Sequence, residues 1–503
     1  MLKIQQRGRN CIIQFAQSVK FLWILLKKSF AIVQRYDILL SEFYTFKSGF
    51  GGEILRFDSF HHMLSYWAEK TPDKPALIHD DHGRKALSFS ELLKAVEERA
   101  GALKADGGSC IGILADGSRD CIVEVFAAAA AGLQTVMLDS SLPDETLRKL
   151  LQYTDVDRLW GDEDLCEDLT PYLTDGVPDG GGKLLFFTSG TTEQAKAVVL
   201  TDHSLCQSAY NGGAKLPLSP DDTLLCILPL GHVFGFVCGL LWGLSCGAAV
   251  ALGRGPRHYA DDCAFYKPTA VSVVPLLLGF LLQRGLVNDE LKLVLVGAGD
   301  CPPALLKAAS AKGLRVSFGY GLTETSSGVA ISVSGDPFAM EVCPDDTITI
   351  ADDGEILIQA PTCMMLGYYK RPKDTEAVLK DGVLYSGDLG RFDDDGRLHI
   401  TGRKKDMLVL PDGTKLFLPE YEGAVMKALG HTELAVVLKN GRPALVYSGE
   451  AEAKDIEAKL RPLMASQPRG RQITGMYGIH HPLPRTATGK IKRWELQQET
   501  ETL

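Results

Sequence analysis

The run Thr188-Ser189-Gly190-Thr191-Thr192-Glu193-Gln194-Ala195-Lys196 sets four hydroxyl residues and a glycine ahead of a lysine, directly after the apolar stretch 184–187. Hydroxyls and turn amides can donate to phosphate oxygens, and the lysine adds a positive point charge. The run is not a Walker loop, because GxxxxGK[ST] is missing, and a hydroxyl-rich surface loop would read the same way. A second segment, Ser317-Phe318-Gly319-Tyr320-Gly321-Leu322-Thr323-Glu324-Thr325, offers an aromatic face at Tyr320 and close backbone approach at its glycines. Its Glu324 supplies hard oxygen ligands suited to magnesium. Two more segments follow. The first is Tyr385-Ser386-Gly387-Asp388-Leu389-Gly390, leading to Thr401-Gly402-Arg403-Lys404-Lys405-Asp406. The second is Pro484-Arg485-Thr486-Ala487-Thr488-Gly489-Lys490-Ile491-Lys492-Arg493. Each alone fits a turn or a solvated basic run, but four in this order are far more specific than any one.

These segments need elements to hold them. Helical spacing over 59–70 and 90–104, with a short buried strand at 110–114, predicts α/β layers. A glycine-rich loop at 175–183 precedes the strand 184–187, so the first chemical segment leaves a strand end. Alternation runs to about Ser334. From Asp336 to Gly402 short strands separated by acidic, glycine-containing turns predict a small antiparallel or barrel-like region. Gly402–Leu503 reads as a last unit, with strands near 435–438 and 443–447 and a charged helix near 453–464.

Composition bounds the answer. The chain has 503 residues, 45% hydrophobic and 23% charged, and a mean hydropathy of +0.02, as a folded soluble enzyme of about three structural units would. A net charge of −10 gives no general attraction to a phosphate backbone, which disfavours nucleic acid as a partner. The 12 cysteines contain no CxxC pair and several sit in apolar runs, which suits small core residues in a reducing, cytoplasmic setting. Residues 1–47 differ from the rest, with eight basic side chains against Asp37 and Glu42. On a helical wheel Arg9, Lys20, Lys27, Lys28 and Arg35 fall on one stripe, and Phe15, Leu22, Leu25, Leu26 and Phe30 on the other side. Lys20 and the Lys27-Lys28 pair interrupt it too often for a spanning helix. Three readings stand: peripheral contact through 9–35 with the inner face of the membrane, a helix packed on the protein or a dimer partner, and an over-extended start upstream of Met63.

Taken together, TSGTT, YGLTET, SGDLG, GRKKD and TGK in this order resemble the adenylate-forming superfamily, the acyl-CoA synthetases and their AMP-binding relatives, over about residues 55–495. The resemblance is greatest to fatty-acid–CoA ligases. It implies an α/β, multidomain α+β fold with a large N-terminal domain of two α/β subdomains plus a β-barrel, and a small mobile α+β C-terminal domain. The expected division is a basic extension over 1–50, the large domain over 51–403 and the small one over 404–503. The implied chemistry is attack of a carboxylate on the α-phosphorus of ATP, followed by displacement of AMP by a thiol, with ATP, Mg2+ and CoA as cofactors. By resemblance, Thr188, Ser189, Gly190, Thr191, Thr192 and Lys196 hold the triphosphate, and Glu324 with Thr191 holds magnesium. Tyr320 and Gly321 lie against adenine, Asp388 accepts from the ribose hydroxyls, Arg403 donates to the same nucleotide and Thr323 contacts the adenylate phosphate. Lys490 bridges carboxylate and α-phosphate, and Lys405 is the hinge about which the small domain turns between half-reactions.

The sequence also departs from the family pattern. Glu193 and Ala195 stand where the phosphate loop usually has glycine and proline, and Asp412-Gly413-Thr414-Lys415 is not the usual glycine-rich text of the thiol tunnel. His232, in Leu228-Pro229-Leu230-Gly231-His232, occupies the segment where amino-acid-activating relatives carry an aspartate, which favours a plain acid; a buried structural histidine is the alternative. Apolar 236–244 and 275–282, with Gly235, Gly239, Gly243 and Gly297, would leave room for a fatty chain, though core packing explains them almost as well. The expected function is therefore a fatty-acid–CoA ligase. The alternatives are an enzyme loading a carrier-protein phosphopantetheine and a weakly active, membrane-associated binding protein on the same fold.

Overall fold

The computed structural model describes residues 46–47, 53–176, 181–188, 196–286, 290–299, 301–333, 336–410, 415–485 and 491–502. The chain forms two compact units, Met1–Arg56 and Phe57–Leu503. In the first, Phe46–Lys47 pairs antiparallel with Glu53–Ile54; the amphipathic stretch 9–35 lies outside the described residues.

Two sheets carry the larger unit. The first has nine strands in the order Glu341–Val342, Ser327–Ile331, Arg315–Leu322, Leu293–Val296, Ala270–Val273, Thr223–Cys226, Ala249–Leu252, Pro75–Asp80 and Arg84–Ser88. The six strands from Arg315–Leu322 to Pro75–Asp80 run parallel, with antiparallel strands at both edges. Strands such as Leu293–Val296 and Ala249–Leu252 are buried at every position, which is why they read as unbroken apolar runs rather than alternating ones. The second sheet orders Gly367–Tyr368, Ala197–Thr201, Lys183–Phe187, Gln134–Asp139, Cys110–Ala115 and Arg158–Trp160.

Local chemistry sets the helix boundaries. Ser88 and Glu91 form a reciprocal capping box at the start of Phe89–Asp106, and Gly107, with φ +73°, ends it. Thr201 and Ser204 cap Asp202–Lys215 in the same way, immediately after the strand that follows the hydroxyl-rich loop. Cysteines such as Cys226 sit within this packing, where burial pushes the thiol up to about 12.

The region after Asp336 is an antiparallel sheet of Thr347–Ile350, Glu355–Gln359, Val383–Phe392 and Leu379–Lys380, with Leu398–Arg403 also paired to Val383–Phe392. Among the described residues these strands do not close, so the expected barrel is corrected to an open sheet. The C-terminal segment has its own three-stranded sheet, Leu434–Lys439, Arg442–Ser448 and Gly475–Ile479, with helices Leu418–Leu429, Ala453–Ser466 and Arg493–Thr502. Two clusters, one around Val425, Val436 and Leu460 and one around Val437, Val446 and Leu496, give it its own core. No described helix is long and apolar enough to cross a membrane.

Candidate active site

Two of the chemical segments, 188–196 and 320–325, leave the carboxyl ends of strands in the two α/β sheets, the place where open α/β sheets bind ligands. Arg315–Leu322 delivers Tyr320 and Gly321 and runs into the short turn Thr323–Thr325, which carries Thr323 and Glu324. At Gly321, where the pairing with Ser327–Ile331 shifts register, a Cβ would lie 1.7 Å from the Ser327 carbonyl oxygen, so only glycine fits. Ser326 closes the turn in the left-handed region at φ +53°.

Asp388 and Arg403 face each other across paired strands. The buried Asp388 carboxylate accepts from Tyr320 Oη at 2.9 Å on Oδ2 and forms an ion pair with Arg403, whose Nε stands 2.8 Å from Oδ1. Burial, then the neighbouring Asp388 charge, pushes the Tyr320 phenol well up, so it remains a proton donor. Three residues expected around one nucleoside are thus joined by one hydrogen bond and one ion pair. Arg403, 37% exposed, presents its guanidinium beside this carboxylate.

A second chain runs through Glu324. Tyr368 Oη donates to Glu324 Oε1 at 2.6 Å, and Lys196 Nζ stands 4.6 Å from the centre of the Tyr368 ring and 3.6 Å from Asp374 Oδ1. The main chain fixes the same residues: Met365 N donates to the Glu324 carbonyl at 2.8 Å, and Ser326 Oγ to the Cys363 carbonyl at 2.7 Å. Among the described residues no cluster of three or more His, Cys, Asp or Glu side chains could hold a metal alone. Magnesium is commonly bound by one or two carboxylates together with substrate phosphates, and a single oriented carboxylate near a lysine fits that pattern.

His232 opens the short helix Val233–Phe236, and its Nε2 lies 3.6 Å from Asp139 Oδ2. Its side chain is 43% exposed, so it is not the buried structural histidine that the sequence left as the alternative. The imidazole, reinforced by Ser141 Oγ at 2.6 Å, holds the Asp139 carboxyl below the ordinary carboxylate range. Asp139 ends a strand of the second sheet, so this pair joins the carboxyl ends of both sheets.

The neighbourhood expected to admit an acyl chain is closely packed. A Cβ at Gly235 would lie 2.2 Å from the Pro229 carbonyl oxygen, one at Gly243 2.8 Å from Val250 Cγ2, and one at Gly297 2.8 Å from Phe234 Cε2. Phe236 is buried against Phe60, Phe126 and Phe186. Gly235, Gly243 and Gly297 therefore admit neighbouring protein atoms, which corrects the reading of those three as space for a long chain, whereas a Cβ at Gly239 would lie 3.5 Å from Cys226 Sγ, an ordinary contact. A small apolar cavity lies between Ala209, Val237, Trp242, Leu295 and Ile331.

Ser189, Gly190, Thr191, Thr192 and Lys490 lie outside the described residues, as do Glu193 and the side chain of Lys405. The bases of both loops are described. Thr188 N donates to the Lys196 carbonyl at 3.0 Å, closing a hairpin loop between Lys183–Phe187 and Ala197–Thr201. Arg485 bridges Ile491, and Lys492 N donates to the Pro484 carbonyl at 2.8 Å, closing the loop that carries Lys490. Asp139 and Tyr368 were not anticipated from sequence. Asp139 could have been found as an acid at a strand's carboxyl end, whereas Tyr368 gave no signal of its own.

Curated relatives align over most of the chain. A 2-succinylbenzoate–CoA ligase of Bacillus cytotoxicus is 27% identical over 471 residues, covering 86% of this chain and 97% of that protein. Its counterpart from Listeria monocytogenes is 26% identical over 474 residues, covering 86% and 99%. Among solved structures, the O-succinylbenzoate coenzyme A synthetase MenE of Bacillus subtilis in complex with AMP superposes with a TM-score of 0.74 at 23% identity, covering 86% of this chain and 98% of that one. ATP-bound MatB from Rhodopseudomonas palustris gives 0.74 at 20% identity, covering 87% and 98%. The AMP-binding enzyme family matches residues 64–175 and 183–369, more than half of the sequence. With its motif order, its fold and this match in agreement, the chain belongs to the AMP-binding enzyme family of adenylate-forming enzymes.

Proposed function

We propose that the chain is an AMP-forming acid–CoA ligase acting on a compact carboxylic acid, with 2-succinylbenzoate the first candidate. The observation that carries the nucleotide half is a pair of side-chain networks: Tyr320 hydrogen-bonded to Asp388 and Asp388 ion-paired with Arg403, and Tyr368 hydrogen-bonded to Glu324 with the Lys196 ammonium over its ring. Glu324 and the Thr191 hydroxyl would hold magnesium, which would supply positive charge against the phosphates. Lys196 and the loop hydroxyls grip the triphosphate, Arg403 and Asp388 fix the nucleoside, and Thr323 contacts the adenylate phosphate. Lys490 holds the substrate carboxylate against the α-phosphorus; the carboxylate oxygen forms the new P–O bond and pyrophosphate leaves. In the second half-reaction a thiol forms the thioester at the acyl carbon and AMP leaves. The His232–Asp139 pair stands beside the acyl group and shapes its site.

Two observations favour a compact acid over a fatty one: the close packing at Gly235, Gly243 and Gly297, and the substrate named for the curated relatives. Pyrophosphate release measured with 2-succinylbenzoate, benzoate, octanoate and palmitate, each with CoA or a phosphopantetheine carrier, tests this. Faster turnover of palmitate than of the aromatic acids would overturn the compact-acid reading, and turnover only with the carrier would overturn CoA. Peripheral membrane contact through 9–35 from the cytoplasmic side belongs to the same proposal. Deleting residues 1–47 should abolish sedimentation with anionic vesicles at low salt, and unchanged sedimentation would remove that part.

A further inference from the structure

Tyr368 belongs to none of the motifs, yet its side chain touches both Glu324 and Lys196. Gly367–Tyr368 pairs antiparallel with Ala197–Thr201, Tyr368 opposite Val198. Side chains two apart on a strand share a face, so Lys196 is the diagonal neighbour of Tyr368, and its ammonium sits 4.6 Å from the ring centre. From the same residue the phenol hydroxyl reaches Glu324 Oε1 at 2.6 Å. Tyr368 N accepts no role in this reach; it donates to Thr375 Oγ1 at 2.9 Å, which fixes the backbone from which the ring projects.

From this geometry we infer that Tyr368 is a positioning residue with two separable actions: its hydroxyl orients the carboxylate that receives magnesium, and its ring orients the lysine that receives the triphosphate. The inference rests on Glu324 as the magnesium ligand. A carboxylate with one oxygen already tethered has fewer orientations to lose when the ion arrives, and partners of this kind typically govern metal affinity by about 10–100-fold. The ring contributes less, since a partly exposed ammonium over an aromatic face gains only a few-fold in its population of one position. Lys196 also meets Asp374 at 3.6 Å, so the ring and that carboxylate together define where the ammonium stands.

The two actions can be separated by measuring ATP binding calorimetrically to the full chain, once in EDTA and once in excess Mg2+. Tyr368→Phe keeps the ring and removes the hydroxyl. It should bind ATP in EDTA within about twofold of the unmodified protein and lose about tenfold of the affinity gained with Mg2+. Tyr368→Leu should lose that gain and also weaken ATP binding in EDTA about threefold. Glu324→Gln serves as the reference for the magnesium assignment and should abolish the gain. If Tyr368→Phe keeps the full gain while Glu324→Gln loses it, the positioning role is wrong and the ligand assignment stands. Equal losses for Tyr368→Phe in both buffers would mean a general disturbance of the site and would also overturn the role. If Glu324→Gln keeps the gain, the ligand assignment fails and the inference falls with it.

Discussion

His232 Nε2 lies 3.6 Å from Asp139 Oδ2, and these two residues come from the carboxyl ends of strands in different sheets. The histidine follows Thr223–Cys226 and the aspartate ends Gln134–Asp139, so the pair depends on how the two sheets meet. A side chain that contacts the acyl substrate through such a pair should act as one unit with its partner. His232→Ala and Asp139→Asn should each lower kcat/KM for the acid about tenfold, and the double variant should be little worse than either. Additive losses in that cycle would mean that the two residues work separately.

Asp388 is buried between Tyr320 and Arg403 and serves both. Asp388→Ala removes the acceptor of the Tyr320 hydroxyl and leaves Arg403, which is 37% exposed, without this partner. Because Arg403 can turn partly toward water, the cost is smaller than for a fully buried pair, about 2 kcal/mol in unfolding free energy. The ATP KM should rise by at least about tenfold, since both groups that flank the nucleoside lose their anchor. A KM rise without loss of stability would place Asp388 at the ligand alone.

How much of this was legible in the sequence follows from the range of each signal. Thr323, Glu324, Asp388 and Arg403 were identifiable because their neighbours along the chain carry the motif, and because strand ends can be read from apolar runs. Tyr368 was not, because its partner Glu324 is 44 residues away and the strand pairing that aligns it with Lys196 leaves no mark in its own neighbourhood. Gly243 and Gly297 were ambiguous for a different reason. A glycine that clears space for a ligand and one that admits Val250 or Phe234 have the same sequence context, and only distances separate them. The barrel was over-read because closure depends on how edge strands curve toward each other, which alternation within a strand does not report.

Asp346 provides a pH test outside the site. Its Oδ2 lies 3.4 Å from Asn211 Nδ2, while its Oδ1 is buried without a hydrogen-bond partner among the described residues. Burial, and then the charge of Asp345, push its carboxyl up to about 8. The folded pKa exceeds the unfolded value of about 3.9, so the folded chain holds an extra proton between the two. The stability this gives is complete below about pH 4 and is lost as pH rises through about 8. Asp346→Asn keeps the shape and removes the titration, so its melting temperature should match the unmodified protein near pH 4 and exceed it by at least about 3 °C above pH 8. A difference that does not change with pH would show that Asp346 does not titrate in this range.

The last prediction concerns Lys490 and Lys405, which the proposed two-step mechanism uses at different stages. Arg403 is tied to Asp388, and Lys404 Nζ reaches Asp353 Oδ2 and Glu355 Oε2, each at 2.7 Å, so the chain is anchored to the antiparallel sheet after Asp336 up to residue 404. Met407–Val409 pairs antiparallel with Lys415–Phe417, and Leu408 packs against the core that holds Leu416 and Leu418, so from Met407 the chain belongs to the C-terminal segment. A rotation of the C-terminal segment must therefore be absorbed between Lys404 and Met407, and Lys405 is the first residue between those anchors. Lys405→Pro fixes φ near −65° and should slow thioester formation from a pre-made acyl adenylate more than it slows adenylation. Lys490→Ala should do the reverse, lowering pyrophosphate release by about 100-fold or more while leaving thioester formation from the same adenylate largely intact. Both half-reactions can be followed separately with synthetic acyl adenylate and CoA. If Lys490→Ala depresses the two equally, the lysine serves folding or general binding, and if Lys405→Pro changes neither, the chain does not pivot at residue 405.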